Sequence, residues 1–156
     1  MQVSFGIGEG AAPWAAVKLV WTSRAGARHK AAMSESAADM AFARDLFSGM
    51  GHVEVRRMFG AAGVWAAGVM FALIDDGRIY LKTDEGGLKA DLAAEGAVAW
   101  LYTERKGPKA GIPQETSYWS LPESALDDPD EACAWGRRAL AVAEAKKAAT
   151  PPRRRR

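Results

Sequence analysis

The sequence has very few residues that bind metals or form cross-links. Its 156 residues include one cysteine, Cys133, and two histidines, His29 and His52. A single thiol excludes an internal disulfide, and one thiol with two imidazoles is too small a set for a four-ligand structural zinc site. We therefore expect a cytoplasmic protein that holds neither a metal nor another cofactor.

Long hydrophobic runs are also missing. The apolar stretch at residues 11–21 is interrupted by Pro13 and Lys18, so it falls short of the roughly 20 apolar residues that span a membrane. Glu9 and three nearby glycines occupy the place where a secretory signal has basic residues. The sequence predicts no membrane association.

Charge is unevenly distributed along the chain. The formal net charge is +2, but residues 1–32 carry a net +3 and residues 146–156 a net +6, which leaves −7 on residues 33–145. An acidic body repels the phosphates of a DNA duplex over most of its surface. Direct contact with nucleic acid is therefore expected only at the two ends or through a partner protein.

The first 35 residues show no sustained period of a helix or of a strand. We expect residues 1–35 to be a poorly ordered extension. The first well-patterned segment opens at Met33, which suggests the hypothesis that Met33 is the natural start of the protein. The intact mass of the natively expressed protein tests that hypothesis.

The pattern of an α+β domain begins after residue 35. Apolar residues recur at helical spacing over residues 36–49, which predicts a first helix. Residues 53–83 alternate in short runs separated by turn residues, as is typical of a four-strand antiparallel meander. We place its turns at residues 60–63, 67–68 and 75–77, the last because an Asp-Gly pair between two strands favours a hairpin.

The second half of the domain predicts further elements of both kinds. Leucines four residues apart indicate a short helix over residues 84–95. Alternating residues from Val98 to Tyr102 predict a fifth strand, and a loop rich in Lys, Gly and Pro separates it from a sixth strand at residues 116–121.

The final helix has the clearest start signal in the chain. Asp128 is its N-cap, Pro129 takes the first helical position, and Glu131 completes a capping box in which aspartate replaces the usual Ser or Thr. The predicted fold is an antiparallel sheet of about six strands with an N-terminal helix, a short middle helix and a C-terminal helix packed on it. The domain is expected to cover residues 36–145, followed by a basic disordered tail at residues 146–156.

Three segments of this domain form a fairly specific combination. They are the Met-Phe-Gly block at residues 57–65, the strand pair at residues 68–84, and Ser-Tyr-Trp-Ser-Leu-Pro at residues 117–122 with the helix that follows. In these segments residues 36–145 resemble the N-terminal domain of the TfoX/Sxy family. The residues that carry the resemblance, for which we expect mainly structural roles, are Met58, Phe59, Gly60, Gly63, Gly68, Phe71, Tyr80, Leu81, Lys82, Tyr118, Pro122 and Trp135.

The resemblance implies a small α+β domain associated with bacterial regulation of DNA-uptake (competence) genes, with no known enzymatic activity. It thus predicts a non-enzymatic regulatory module that acts in transcriptional control through a protein partner. The alternative is a chaperone-like or scaffolding domain that binds a client peptide along a sheet edge, unrelated to transcription. Where many members have paired glycines after Met-Phe-Gly, this chain has Ala61-Ala62, which argues against close approach of a ligand at that point.

Candidate sites have competing explanations. Met58, Phe59 and Gly60, with Trp65 and Phe71, suggest either a binding groove or core, and their strand spacing favours core. The acidic residues in the 75–77 turn and at the start of the final helix already have local roles. The sequence offers no recognisable combination of nucleophile, base and acid, so it predicts no catalytic, cofactor-binding or metal-binding residue.

The basic tail is the remaining candidate for a site. Six cations on a flexible segment are typical of weak, non-specific contact with nucleic-acid phosphates. The alternative is a solubilising end that folds back on its own acidic domain, and the sequence does not separate the two. The six residues are Lys146, Lys147, Arg153, Arg154, Arg155 and Arg156.

Overall fold

A computed structural model describes residues 36–58 and 60–152 of the chain. They form an α+β domain. In chain order the elements are helix α1 (Ala37–Leu46), a 3-10 turn (Ser48–Met50), strands β1 (Val53–Met58), β2 (Ala61–Ala66), β3 (Val69–Asp75) and β4 (Arg78–Lys82), helix α2 (Gly87–Ala94), strands β5 (Ala99–Thr103) and β6 (Pro113–Ser120), and helices α3 (Glu123–Leu126) and α4 (Pro129–Ala149).

The six strands form one antiparallel sheet in the order β1-β2-β3-β4-β6-β5. The predicted fold class is therefore confirmed, including the four-strand meander. The sixth strand inserts between β4 and β5, so β1 and β5 are the two edges of the sheet. The short helix α3 was not predicted from the sequence.

The hydrophobic core lies between the sheet and a layer that contains α1 and α4. Phe47, just after α1, and Phe71 of β3 are both fully buried, and their rings meet edge to face with centroids 5.3 Å apart. Burying a side chain of this size stabilises the fold by roughly 1.5–3 kcal/mol. Leu88 and Leu92 attach α2 to the same core.

The first hairpin differs from its prediction. The turn was expected at residues 60–63, but β2 already begins at Ala61, and Gly63 pairs with both Arg56 and Leu73 inside the sheet. Only Gly60 of these four residues has the positive φ, +84°, that favours glycine. At Gly63 the constraint is different, because neighbouring side chains pack too closely to leave room for a Cβ atom.

The N-cap of the last helix is as predicted, but the capping box is not formed. The Asp128 carboxylate accepts from the backbone N–H groups of Asp130 (3.0 Å) and Glu131 (3.2 Å). In a capping box the Glu131 carboxylate would accept from the backbone N–H of Asp128. Here it accepts from the Ser124 hydroxyl at 2.8 Å instead. The backbone N–H of Asp128 donates to the carbonyl of Ala125.

Helix α4 continues to Ala149, four residues beyond the expected end of the domain. Lys146 and Lys147 therefore lie in its last turn and not in a tail, and the Lys146 ammonium donates to the backbone carbonyl of Thr83 at 2.7 Å. The predictions for residues 1–35, Phe59 and residues 153–156 fall outside the described residues. No helix within the described residues is long and apolar enough to cross a membrane.

Candidate functional site

The sheet has a second face, which we call the outer face, on the side opposite the core. Leu73 pairs with Tyr80, Tyr80 pairs with Ser120, and Trp65 pairs with Met70. Directly paired residues point to the same side of a sheet, so these side chains share the outer face. In the part of the chain that the structure describes, α1 and α4 pack on the other face, and no helix covers this one.

Four aromatic residues, which we call the aromatic cluster, lie together on the outer face: Tyr80, Trp100, Tyr102 and Tyr118. The Trp100 ring is central, with centroid distances of 6.4 Å to Tyr80, 6.0 Å to Tyr102 and 6.3 Å to Tyr118. Its indole Nε1 donates to the Asp75 carboxylate at 2.8 Å. This bond fixes the ring between strands that are distant in the sequence, while the Tyr102 side chain stays half exposed.

A groove of about 1150 Å³ runs beside the aromatic cluster. Met58, Met70 and Leu73 line one side of it, and residues 100–106 line the other. Methionine side chains are flexible and polarisable, and they adapt to differently shaped apolar partners. The groove can therefore accept an apolar or aromatic side chain, and its charged lining residues are Asp75, Glu104, Arg105 and Lys106.

Gly63 makes this surface possible. A Cβ atom there would lie 2.7 Å from Met70 Sδ, 2.8 Å from Trp65 Nε1 and 3.2 Å from Met58 Sδ. The Trp65 ring and both methionines thus lie directly over the Gly63 backbone. The Arg56 guanidinium also lies 5.5 Å from the Trp65 ring centroid, a distance at which the cation is attracted to the ring.

Burial affects the ionisation of two tyrosines on the outer face, Tyr80 and Tyr118. It raises the pKa of Tyr118 to about 12, and it also raises the pKa of Tyr80, with a smaller opposing effect from Arg78. Partial burial, with the nearby charge of Lys146, lowers the pKa of Lys82. The Lys82 ammonium lies 4.6 Å from the Tyr118 ring centroid and donates to Ser117 Oγ at 2.8 Å. At neutral pH these tyrosines are contact groups, not bases.

Residues 45–143 match the family model of the TfoX N-terminal domain. This match covers well over half of the 156 residues. The chain belongs to the TfoX N-terminal domain family. No curated protein matches the chain.

The motif residues of this TfoX N-terminal domain are not gathered at one place. Met58, Tyr80, Tyr118 and Lys82 lie on or beside the outer face, as described above. Others have different positions: Phe71 and Leu81 are buried in the core, Gly63 lies under Trp65, Gly68 has the positive φ of the β2–β3 turn, Pro122 precedes α3, and Trp135 lies on α4.

Trp135 belongs to a surface network on α4, away from the groove. Its indole Nε1 donates to the Glu131 carboxylate at 3.4 Å, and the Arg138 guanidinium lies 5.1 Å from its ring centroid. Arg138 also forms an ion pair with Asp91 of α2. Arg138 thereby links α4 to α2, and Trp135 packs partly buried against the core.

Sequence reasoning misses most of the groove of this TfoX N-terminal domain: among its lining residues only Met58 and Gly60 are groove candidates from the sequence, and their strand spacing favours core. The pattern places Trp100 and Tyr102 only in a strand, and Met70 and Leu73 only in a continuous apolar run. The available signal was the alternation of aromatic residues in β5, which places Trp100 and Tyr102 near each other on an antiparallel sheet whose neighbouring strand carries Tyr118.

We next consider whether the described residues could bind a metal ion or supply a reactive thiol or carboxylate. Within them, no group of three or more His, Cys, Asp or Glu side chains is arranged to hold a metal ion. The buried Cys133 thiol donates to the carbonyl of Leu46 at 3.5 Å. Asp75, an acid in the groove wall, is already bonded to Trp100.

Proposed function

We propose that this protein is a non-enzymatic regulatory module and that a protein partner docks in the groove of its outer face. The observation that carries the proposal is the groove itself. Its described lining combines Met58, Met70 and Leu73 with three members of the aromatic cluster, Trp100, Tyr102 and Tyr118. Aromatic residues and methionine are enriched in the interfaces by which proteins recognise one another.

The occupant that fits this groove is an apolar segment of a partner protein with charged residues beside it. Apolar side chains of the segment would pack between the methionines and Trp100. Arg105 and Lys106 would pair with an acidic residue of the segment and the neighbouring Glu104 with a basic one, and charge complementarity of this kind sets register and association rate more than affinity.

The task we propose for the complex is transcriptional control of DNA-uptake genes in bacteria. Membership of the TfoX N-terminal domain family supports this proposal. The described region spans residues 36–152, which carry 17 acidic and 13 basic residues. A domain with this net negative charge gains little from direct contact with duplex phosphates, so the partner would supply the link to DNA.

A capture experiment with paired variants tests the proposal. Wild-type protein, Met58→Glu and the control Ala141→Glu serve as baits in native lysate, and recovered proteins are identified by mass spectrometry. Met58 is half-buried at the groove, whereas Ala141 is exposed on α4. We expect a transcription factor or RNA polymerase subunit with wild type and with Ala141→Glu, and its loss with Met58→Glu.

The identified partner is then titrated against each purified variant. Placing a carboxylate in an apolar groove is expected to weaken binding at least about tenfold, since burying an unpaired charge costs well over 1.4 kcal/mol. Equal binding of all three proteins would contradict the groove as the docking surface. Recovery of one unrelated client that Met58→Glu no longer binds would support the scaffold or chaperone-like alternative.

We propose separately that the carboxyl-terminal cations give weak, non-specific affinity for nucleic acid. Lys146 already donates to the Thr83 carbonyl in the folded domain, so Lys147 and Arg153 to Arg156 supply this affinity. Each phosphate contact releases counterions and steepens the salt dependence of binding by roughly 0.9 on a logarithmic scale.

A further inference from the structure

The two edges of the sheet differ in their side chains. An edge strand presents unpaired backbone N–H and C=O groups, and natural proteins often place charged residues there to prevent pairing with another strand. Strand β1 carries Glu54, Arg56 and Arg57 within six residues. Strand β5, with the sequence Ala-Trp-Leu-Tyr-Thr, carries no charged residue. Its edge lacks the protection that β1 has.

Exposed apolar side chains concentrate at the same edge. Among the described residues, the large hydrophobic side chains with high exposure are Val98 (49%), Leu101 (57%), Tyr102 (49%) and Ile112 (56%). Two of them lie on β5, Val98 immediately precedes it, and Ile112 ends the loop that joins β5 to β6. Such concentration of exposed apolar residues marks an interaction surface.

We propose that β5 is the strand through which two copies of this chain pair, antiparallel and around a two-fold axis at Leu101. The paired copies form one continuous sheet of twelve strands. This inference goes beyond the proposed function and does not depend on it, because a second copy is the occupant and the groove partner is not needed.

The sequence of β5 is complementary to itself in this arrangement. With Leu101 opposite Leu101 of the second copy, Trp100 faces Tyr102 of the second copy, and the same pair recurs on the other side of the axis. A two-fold interface requires this kind of self-complementarity. Aromatic pairs across antiparallel strands stabilise by roughly 0.2–1 kcal/mol each.

Charges that flank β5 support the same occupant. Glu95 lies shortly before the strand, and Glu104, Arg105 and Lys106 follow it with a net charge of +1; Glu95, Arg105 and Lys106 are exposed. Antiparallel pairing brings the start of one β5 towards the end of the other, so the basic loop of each copy approaches the acidic residue of its partner. The attraction is repeated by symmetry, and it opposes parallel pairing, which would bring like charges together.

The proposed interface is small, so we expect the affinity between the two copies to be low. Five residues of strand span about 17 Å, and such a contact buries an area in or below the low range of specific interfaces, about 1,200 Å² in total. We therefore expect a reversible dimer with a dissociation constant of about 10–100 µM.

Sedimentation velocity of the full chain tests the pairing between about 1 and 300 µM, a range that brackets this constant. The expected result is a mass of 16.7 kDa at low concentration that approaches twice that value at high concentration. Leu101→Lys should remain monomeric throughout. The matched control Glu54→Lys adds the same side chain at the other edge and should dimerise like wild type, as should Met58→Glu.

A second measurement keeps the test independent of the folding of Leu101→Lys. Directly opposed residues of an antiparallel pair have Cα atoms about 4.5–5.5 Å apart, within the range of a disulfide. Leu101→Cys should cross-link two copies when treated with oxidised glutathione, and Glu54→Cys should not.

Two outcomes would overturn the proposal. The first is a wild-type chain that stays monomeric over the whole concentration range, which would leave the β5 edge to a different occupant such as a peptide client. The second is a dimer that survives Leu101→Lys with its fold intact.

Discussion

Gly63 lies beneath the Trp65 ring on the outer face of β2. Because an added Cβ would come within 3.0 Å of both Met70 Sδ and the rigid Trp65 indole, we expect Gly63→Ala to lower the free energy of unfolding by about 1–3 kcal/mol. Urea denaturation measures this loss. Gly87→Ala is the control, because nothing lies within 4 Å of its Cβ, and it should leave stability unchanged or slightly raised. A Gly63→Ala protein as stable as wild type would contradict the close packing.

The ionisation of Tyr118 makes the stability of the fold depend on pH in the alkaline range. Burial raises its pKa to about 12 from the ordinary value of 10.0, so the folded state retains a proton that the unfolded state releases. The stabilisation is fully present below pH 10 and is lost as pH rises towards 12. With allowance for partial exposure, the loss amounts to about 1–2 kcal/mol.

Tyr118→Phe isolates this contribution from other alkaline titrations. Lys82, whose pKa is lowered, contributes a slope of opposite sign, and Tyr80, whose pKa is raised, adds to the slope of Tyr118. Urea unfolding at about pH 9.5 and about pH 11.5 should show a smaller loss of stability for the variant than for wild type. Parallel losses in the two proteins would show that Tyr118 ionises freely in the folded state.

Helix α4 approaches the segment after α1 at Gly136. A Cβ at this position would lie 2.7 Å from Met50 Sδ and 3.1 Å from the Phe47 ring. Alanine favours a helix over glycine by about 1 kcal/mol, but the Phe47 ring is fully buried and has no room to move. We therefore expect Gly136→Ala to destabilise the fold by about 1–2 kcal/mol in spite of its helix propensity.

Thermal denaturation of two single variants, Gly136→Ala and Ala134→Gly, separates the effect of packing from that of helix propensity. Ala134 is exposed on the same helix, so glycine there should cost about 1 kcal/mol through propensity alone. The two substitutions exchange the same pair of residues in opposite directions, yet both should destabilise. A stabilised Gly136→Ala would mean that α4 moves away at little cost.

Elements with local signals could be predicted from the sequence, and contacts between distant elements could not. The Asp128 cap and the hairpin at Asp76-Gly77 depend on neighbours within a few residues. The Asp75 carboxylate was assigned to that hairpin, although it accepts from Trp100, 25 residues away. The sequence places Gly63 in a turn because glycine usually indicates backbone freedom. In the structure, side chains from three strands leave no room for a Cβ atom at this position.

At the scale of the molecule, charge separates an acidic folded body from a basic end. If the carboxyl-terminal cations bind nucleic acid, deleting residues 151–156 should abolish retardation of a DNA duplex at low salt and flatten the salt dependence of binding. Gel retardation with the full chain and the truncated chain measures both effects. Retardation that persists after the deletion would assign the contact to another part of the chain.

In the proposed dimer, the charged edge of β1 would determine where assembly stops. If two copies join at β5, the strands left at the ends of the twelve-stranded sheet are both β1, and each carries Glu54, Arg56 and Arg57. A third copy would have to pair its β5 with one of these charged strands, and charged side chains on an edge strand oppose such pairing. A sheet with one pairing edge per molecule forms dimers and does not extend into fibrils, so the proposed dimer would cover the uncharged edge of each copy and leave only the charged edges exposed.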